Sequence, residues 1–237
     1  NNLCRVCYMK VVILAGGLGT RLGKITETIP KPMVPVADKP FLQFLLDYLI
    51  KQGISEVILC VSYKWELIES FFGTSYKGLD ISYSVEEDRL GTGGALKKVF
   101  EEFQLESAII LNGDTIFFAD LALFKLQHDR NESLISIGVK PVDDTGRYGS
   151  LNIDNDRIVS FKEKGGVGPG YINAGIYLID VKLFKAFDLP DVFSLEIDLI
   201  MPNINKISPL AVIFDTYFLD IGVPLDYERA QVEYVDW

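Results

Sequence analysis

Residues able to handle phosphate stand in several places along the chain. Gly16-Gly17-Leu18-Gly19-Thr20-Arg21 follows the apolar run Val11-Val12-Ile13. Glycines accept positive φ and close approach, so this segment can turn several backbone N–H groups toward phosphate oxygens. Arg21 adds a two-pronged contact suited to a polyphosphate. The segment is neither of the two common phosphate loops. A dinucleotide fingerprint needs glycine where Leu22 stands, and a P-loop needs a shorter spacing than Gly17 to Gly23 and Ser or Thr where Ile25 stands. A tight turn between strand and helix is the other use of such glycines. Further on, Pro30-Lys31-Pro32 brackets one lysine with two prolines. The stiffened backbone holds a cation still, which suits a phosphate that must be aligned for reaction and is needless for a solvated lysine. Asp114 and Asp220 each follow an apolar run directly. Two carboxylates at strand ends can bind Mg²⁺, which also takes phosphate oxygens. For Asp114 the more ordinary role is to cap a following helix.

The elements that must position these groups follow from hydrophobic period. Lys10–Leu14 reads as a buried strand. Phe41, Phe44, Leu45, Tyr48 and Leu49 mark one face of a helix over Phe41–Ile50, with Pro40 in its first turn and Gly53 at its end. Strands follow at Glu56–Val61, Leu79–Val85 and Ala108–Leu111, with helices over Trp65–Phe72 and Ala95–Phe103. This β-α-β order implies an α/β fold, a Rossmann-like, mostly parallel sheet flanked by helices. Ligands of such sheets sit beyond the carboxyl ends of the strands, where segments 15–24, 86–94 and 112–115 fall. The second half is richer in strands: Leu134–Val139, Ser150–Ile153, Arg157–Phe161, Tyr171–Ile179 and Val212–Phe218. Helices are expected near 181–187, 194–201 and 224–233. With no linker or repeat in between, residues 9–237 read as a single domain. Residues 1–8, upstream of Met9, read as a leader or as residues ahead of the natural start.

The chain carries a net charge of −10 with no concentration of Lys or Arg, which argues against a nucleic-acid partner. A few local cations still suffice for a small polyanionic substrate. Cys4 and Cys7 have metal-like spacing, but no second pair completes a zinc site. The lone His128 lies in the polar stretch Gln127–Asn131 and reads as a solvated helix end. No apolar run is long enough to span a membrane and no secretion signal is evident, so no membrane partner and a cytoplasmic location are expected.

The segments Leu14-Ala15-Gly16-Gly17-Leu18-Gly19-Thr20-Arg21-Leu22, Pro30-Lys31-Pro32, Leu90-Gly91-Thr92-Gly93-Gly94-Ala95 and Asn112-Gly113-Asp114 together resemble the sugar-1-phosphate nucleotidyltransferases. The resemblance runs from Met9 to near the C-terminus. It implies the nucleotide-diphospho-sugar transferase fold, which is GT-A-like, with a strand-rich sugar-binding half. It also implies a reaction in which a sugar 1-phosphate oxygen attacks the α-phosphorus of a nucleoside triphosphate and pyrophosphate leaves. No covalent enzyme intermediate forms, in keeping with a chain that has no Ser-His or Cys-His pair. Alignment and charge neutralisation do the work. By this resemblance Leu14, Ala15, Gly16, Gly17, Gly19, Thr20, Arg21, Glu86, Gly91, Thr92 and Asn112 bind the nucleotide. Arg21 steadies the departing pyrophosphate, Lys31 bridges the reacting phosphates, and Asp114 and Asp220 hold Mg²⁺.

Arg147-Tyr148-Gly149, Glu163-Lys164 and Asn173-Ala174-Gly175 resemble the family's acceptor segments. Tyr148 and Gly149 then belong to the sugar site, Glu163 and Asn173 bind sugar hydroxyls, and Lys164, with Lys31, meets the sugar's phosphate. Glu86-Glu87-Asp88-Arg89-Leu90-Gly91-Thr92-Gly93-Gly94 is similar to the guanylyl-type pattern, with Arg89 and Gly93 as departures. A carboxylate such as Glu86 accepts from guanine N1–H and its amino group, a donor pair that uracil and thymine lack. GTP is the expected donor. Tyr171 to Tyr177, Phe193-Ser194-Leu195-Glu196 and Phe218 to Pro224 are similar to guanylyltransferases acting on D-glycero-α-D-manno-heptose 1-phosphate. Mannose 1-phosphate, or UTP or dTTP in place of GTP, is the alternative. The sequence leaves a homo-oligomer open.

Two rival readings accompany this one. Asp154-Asn155-Asp156 matches the D-x-D motif of GT-A glycosyltransferases, yet its place between two strands favours a hairpin turn. A non-catalytic sugar-nucleotide sensor would have lost some of Arg21, Lys31, Asp114 and Asp220, and all four are present.

Overall fold

The computed structural model describes residues 9–17, 19, 25–162, 166–222 and 224–233. They form two compact units. The first takes the described residues of Asn1–Asp88, Leu111–Phe118 and Tyr217–Trp237; the second takes Arg89–Ile110 and Ala119–Thr216.

In the first unit the strands β1 (Val11–Leu14), β4 (Glu56–Val61) and β6 (Leu79–Val85) run parallel, in register Val11↔Val57 and Leu59↔Tyr83. A short hairpin, β2 (Pro35–Val36) and β3 (Lys39–Pro40), precedes β4, and β5 (Ser75–Tyr76) closes the β6 edge antiparallel. Val11, Val12, Ile13 and Val57 to Val61 are all buried. A strand covered on both faces is apolar without alternation, which is how β1 and β4 read in sequence. Parallel neighbours need crossovers, and the helices Phe41–Lys51 and Trp65–Phe72 supply them. Gly53 and Gly73 follow these helices with φ of +76° and +61°, the left-handed geometry that stops a helix cheaply only at glycine.

Strand β7 (Ser107–Asn112) carries the chain from the second unit to the first, the change falling after Ile110. Strand β8 (Thr115–Phe117) starts directly after Asp114. No helix begins there for Asp114 to cap. That task belongs to Asp120, whose Oδ1 accepts from Leu123 N–H at 2.9 Å at the head of the helix Leu121–Arg130.

The second unit holds β9 (Ile135–Val142), β10 (Ser150–Asp154), β11 (Arg157–Lys162), β12 (Gly170–Asp180) and β13 (Leu210–Ile213), in the order β10-β11-β13-β9-β12. Only β13 and β9 pair in parallel within this set; the other pairs are antiparallel. Most of the parallel pairing inferred from sequence thus belongs to the first unit. Asp154 pairs with Arg157 across Asn155 and Asp156, whose φ values are +45° and +61°. Two left-handed central residues define the tight hairpin turn, so the D-x-D triplet is spent on a turn.

Several elements differ from the sequence reading for physical reasons. The helix expected over Ala95–Phe103 spans Gly91–Glu102, because glycines that weaken a helix are imposed here by packing. The strand expected over Val212–Phe218 is two strands. Asp215 and Thr216 interrupt the apolar run, β13 stops at Ile213, and β14 (Phe218–Asp220) belongs to the first unit, where it pairs with β8. Residues Leu195–Ile200 form a π-helix. His128 is a correction: it is only 6% exposed, and its Nδ1 lies 2.8 Å from Ser136 Oγ. Leu121, Phe124 and His128 share the buried face of their helix, a period hidden by polar neighbours.

Candidate active site

On the first unit the glycine loop is built around Lys31. Lys31–Met33 is a single 3-10 turn entered from Pro30. A Cβ on Gly19, which has φ +65°, would stand 2.7 Å from Thr26 Cγ2 and 3.1 Å from Lys31 Cβ and Cγ. Thr26 Oγ1 donates to Gly19 O at 2.9 Å. Glycine is therefore required where the loop crosses the lysine stem, and the two segments form one packing unit. Gly16 faces Ser62 Oγ and Glu86 Oε1, at 3.1 and 3.2 Å from where its Cβ would be. Ser62 Oγ donates to Gly16 O at 2.7 Å. Glu86, at the end of β6, thus delivers its carboxylate to the glycine loop. Gly113 comes so close to β1 that a Cβ would stand 2.5 Å from Leu14 O, and its N–H donates to that oxygen at 3.0 Å. This contact sets Asn112 and Asp114 beside the loop, whose Ala15 N–H is held by Cys60 O at 2.8 Å.

Lys31, Asp114 and Asp220 converge. Lys31 Nζ is ion-paired with Asp114 Oδ2, and the two side chains are 13% and 32% exposed. The point where Gly222 would carry a Cβ lies 2.8 Å from Asp220 Oδ1, 2.9 Å from Lys31 Nζ and 3.4 Å from Asp114 Oδ2. Two acids distant in sequence therefore lie beside Gly222 together with the Lys31 ammonium, where a Cβ would crowd all three, and the Gly222 N–H donates to Asp220 Oδ1 at 2.7 Å. Two neighbouring carboxylates suit a hard divalent cation. Among the described residues no group of three or more His, Cys, Asp or Glu could hold a metal ion. A cation held by this pair needs further oxygens from water or phosphate, which is how Mg²⁺ usually binds.

The helix Pro224–Val232 fixes the supports of this convergence. Arg229 Nη2 donates to Phe218 O at 2.9 Å, at the start of β14, while Nη1 pairs with the fully buried Asp226 at 3.2 Å. Tyr227 Oη and Gln231 Nε2 donate to Pro35 O at 2.8 and 2.9 Å, close after the Lys31 turn. Tyr217 Oη donates to Glu233 at 2.9 Å; burial first, and that carboxylate second, push the phenol up to about 12.

On the second unit Ser150 pairs with both Lys162 and Ile172, so the segment Tyr148-Gly149 enters β10 next to Asn173 of β12. Gly149 approaches Lys162 O, at 3.2 Å from a would-be Cβ. Arg147 stacks on the Tyr148 ring at 5.6 Å. Asn173 Nδ2 donates to Tyr177 Oη at 2.8 Å and to Glu196, and Tyr177 Oη donates to Glu196 Oε1 at 2.6 Å.

Gly91 and Thr92 have a further use. A Cβ on Gly91 would stand 2.5 Å from Phe193 O, one on Gly93 2.2 Å from the Phe193 ring, and one on Gly94 2.2 Å from Asp191 O. Thr92 Oγ1 accepts from Leu195 N–H at 3.0 Å. The glycines are thus a docking face for the segment 191–195.

The first unit therefore gathers Leu14, Ala15, Gly16, Gly17, Gly19, Lys31, Glu86, Asn112, Asp114 and Asp220, and the second holds Gly91, Thr92, Tyr148, Gly149 and Asn173. Thr20, Arg21, Glu163 and Lys164 lie outside the described residues. Sequence reasoning missed Ser62, directly after β4, and Tyr177, two turns of strand beyond Asn173. A polar residue closing an apolar strand was the available signal for Ser62; Tyr177 offered none, being an aromatic in an apolar run.

The chain belongs to the nucleotidyl transferase family, whose model matches residues 10–236. It is 49% identical to the D-glycero-alpha-D-manno-heptose 1-phosphate guanylyltransferase of Campylobacter jejuni over 92% of this chain and 97% of that one. It is 42% identical to the protein of that name from Aneurinibacillus thermoaerophilus, over 95% and 98% of the two chains. The crystal structure of HddC from Yersinia pseudotuberculosis complexed with GMP-PN superposes with a TM-score of 0.85 at 38% identity, covering 96% of this chain and all of that one.

Proposed function

We propose that this chain transfers a guanylyl group from GTP to D-glycero-α-D-manno-heptose 1-phosphate, releasing pyrophosphate and the GDP-linked sugar. The convergence of Lys31, Asp114 and Asp220 beside Gly222 carries the reading. Near-complete alignment with two guanylyltransferases supports the donor and acceptor. The Glu86 carboxylate beside Gly16 supports guanine, whose N1–H and amino group it can accept from. A family match over 10–236 supports one nucleotidyltransferase domain in residues 9–237.

On this reading the sugar-phosphate oxygen forms a bond to the α-phosphorus while the bond to the bridging oxygen breaks. Charge builds on the departing pyrophosphate. Lys31 is held by its prolines and by the glycine loop, so it neutralises charge without reorganising. Asp114 and Asp220 would hold Mg²⁺, which offsets phosphate charge and orients the phosphates when bound. Glycine-loop amides, with Thr20 and Arg21, take the phosphate oxygens. Asn112, Gly91 and Thr92 complete the nucleotide side; Tyr148, Gly149, Glu163, Lys164 and Asn173 receive the sugar phosphate. The enzyme works in the cytoplasm, and no helix of the described residues is long and apolar enough to cross a membrane.

Incubation with GTP, D-glycero-α-D-manno-heptose 1-phosphate and Mg²⁺ should release pyrophosphate in proportion to GDP-sugar formed. Binding of GDP-sugar without pyrophosphate release would instead identify a sensor. Sugar transfer from a finished GDP-sugar would identify a glycosyltransferase.

A further inference from the structure

Hydrogen-bond bookkeeping around Asn173 leads to a residue with no role so far. The Asn173 side chain has two N–H donors and one carbonyl oxygen. Its Nδ2 is within reach of Tyr177 Oη, at 2.8 Å, and of Glu196 Oε1, two oxygens that are themselves 2.6 Å apart and so share one side of the amide, while Oδ1 accepts from Gly175 N–H at 3.0 Å. The backbone donor fixes the amide orientation, since a flipped amide would set NH₂ against N–H. The side of the Asn173 amide that faces Tyr177 and Glu196 is therefore spent within the protein, and a ligand can be met through the second N–H or the remaining lone pair of Oδ1.

Glu196 shows the opposite balance. Its Oε1 accepts twice, from Asn173 Nδ2 and, at 2.6 Å, from Tyr177 Oη. Among the described residues no donor meets Oε2, and the side chain is half-buried. A carboxylate oxygen is acceptor only, with room for two donors. A negative charge beside that oxygen repels phosphate and favours neutral hydroxyls.

The backbone under Glu196 is held firmly. It lies in the first turn of the π-helix Leu195–Ile200, a rare geometry that recurs at functional sites. Ser194 caps this turn: its Oγ accepts from Ile197 N–H at 3.2 Å, and its own N–H donates to Asp198 Oδ2 at 2.7 Å. The preceding residues dock on the glycines of the helix Gly91–Glu102. Gly93 N–H donates to Phe193 O at 2.9 Å, Phe193 N–H to Leu90 O at 2.9 Å, and Leu195 N–H to Thr92 Oγ1 at 3.0 Å. An acceptor on so fixed a support is already in place before a ligand arrives.

We propose that Glu196 reads a hydroxyl of the sugar 1-phosphate: its Oε2 accepts from the sugar, while its Oε1 holds Asn173 and Tyr177 in place. This inference rests on the sugar-1-phosphate reading above. The acceptor for the sugar is then a pair, Glu196 Oε2 and Asn173 Oδ1, with Glu196 contributing the charged and stronger contact.

The test is steady-state pyrophosphate release with GTP and either D-glycero-α-D-manno-heptose 1-phosphate or α-D-mannose 1-phosphate. The proteins are wild type, Glu196→Gln, Asn173→Ala and the double variant. A lost charged hydrogen bond predicts a rise of about tenfold or more in KM for the sugar phosphate in Glu196→Gln. KM for GTP at saturating sugar phosphate should stay within about twofold, and the Glu196→Gln effect should persist in the Asn173→Ala background. An unchanged sugar KM overturns the proposal. So does an effect that vanishes once Asn173 is gone, since Glu196 would then act only through Asn173. Should Glu196→Gln not fold, Glu196→Asp keeps the charge and shortens the reach. Tested with monodeoxy mannose 1-phosphates, it should lose activity with every analogue except the one missing the hydroxyl that Glu196 reads. Uniform losses would overturn the proposal. Failure of the wild type to release pyrophosphate with either sugar phosphate defeats the parent reading instead.

Discussion

At Gly222 three charged side chains of the first unit face one point, whereas at Asn173 the second unit surrounds a single carboxylate with neutral donors. The first arrangement sets two acids and a lysine as close neighbours, with Lys31 ion-paired to Asp114. Such a cluster is suited to highly charged ligands, because phosphates and a divalent ion complete its charge balance. The second arrangement is a relay, Asn173 to Tyr177 to Glu196, already satisfied at one carboxylate oxygen. It suits uncharged hydroxyls, where hydrogen-bond geometry selects among near-identical rings. The difference teaches that clustered charges suit the reacting phosphates, whereas a lone carboxylate steadied by neutral donors suits the reading of hydroxyls.

The strongest way to break this comparison is Asp114→Asn. The substitution keeps the side-chain shape and removes the charge. Mg²⁺-dependent pyrophosphate release should fall by about a thousandfold, a loss typical of a charge-stabilising group, with the melting temperature nearly unchanged. Persistence of Mg²⁺-dependent turnover would remove Asp114 from the cation. Next comes Lys31→Ala, expected to lower kcat by about a hundredfold, because its ammonium acts where charge develops. A variant that raises KM while sparing kcat would make Lys31 a binding group and blur the contrast with the sugar side.

The two sides were also unequally legible in sequence. On the phosphate side the motif residues are contiguous, and their chemistry is written in backbone demands. Gly19 must be glycine because it crosses the Lys31 stem, and Gly113 because it presses on Leu14 O. Parallel strands β1, β4 and β6, and the helices between them, were readable as unbroken apolar runs and helical periods. Meeting of Asp114 with Asp220 was not, since it depends on β14 pairing with β8, and those short strands carry no period of their own. Sugar-side geometry was less visible still. Glu196 meets Asn173 only because Phe193 and Leu195 dock on Gly93 and Thr92, a contact across about a hundred residues of sequence. His128 was misplaced because one buried ring in a polar stretch gives no amphipathic signal.

That docking face can be probed by Gly94→Ala. Gly94 lies inside the helix Gly91–Glu102, where helix propensity alone predicts a gain of about 1 kcal/mol. The added Cβ would stand 2.2 Å from Asp191 O, which is backbone and has no side-chain torsion to relieve the clash. Overpacking of this kind costs about 1–3 kcal/mol, so the expected result is a lower melting temperature. Activity should fall on the sugar side first, as a higher sugar-phosphate KM, since the displaced segment carries Glu196. A stabilised variant would show that the 191–195 segment is free to move away, and the sugar-side relay would lose its fixed support.

The smallest effect is a pH dependence of folding centred on the second unit. Burial is the main cause that lowers the His128 pKa from its ordinary 6.5, assisted by Lys125 and opposed by Asp129 and Asp180. The folded protein therefore takes up a proton on His128 less readily than the unfolded chain does. Its neutral ring contributes full stability above the unfolded value of 6.5, and that contribution declines as pH falls from there to the folded pKa. Ser136 Oγ, fully buried at 2.8 Å from Nδ1, is the neighbour that a charged ring would have to accommodate. His128→Gln should lose about 1 kcal/mol at neutral pH through the altered hydrogen bond. It should also flatten the decline in urea midpoint between neutral pH and pH about 5.5, a range set by the ordinary histidine pKa. Parallel pH profiles for wild type and variant would show that His128 titrates alike in both states. A first-unit variant such as Lys31→Ala should leave the slope unchanged, which ties the pH response to the unit that carries the sugar-side relay.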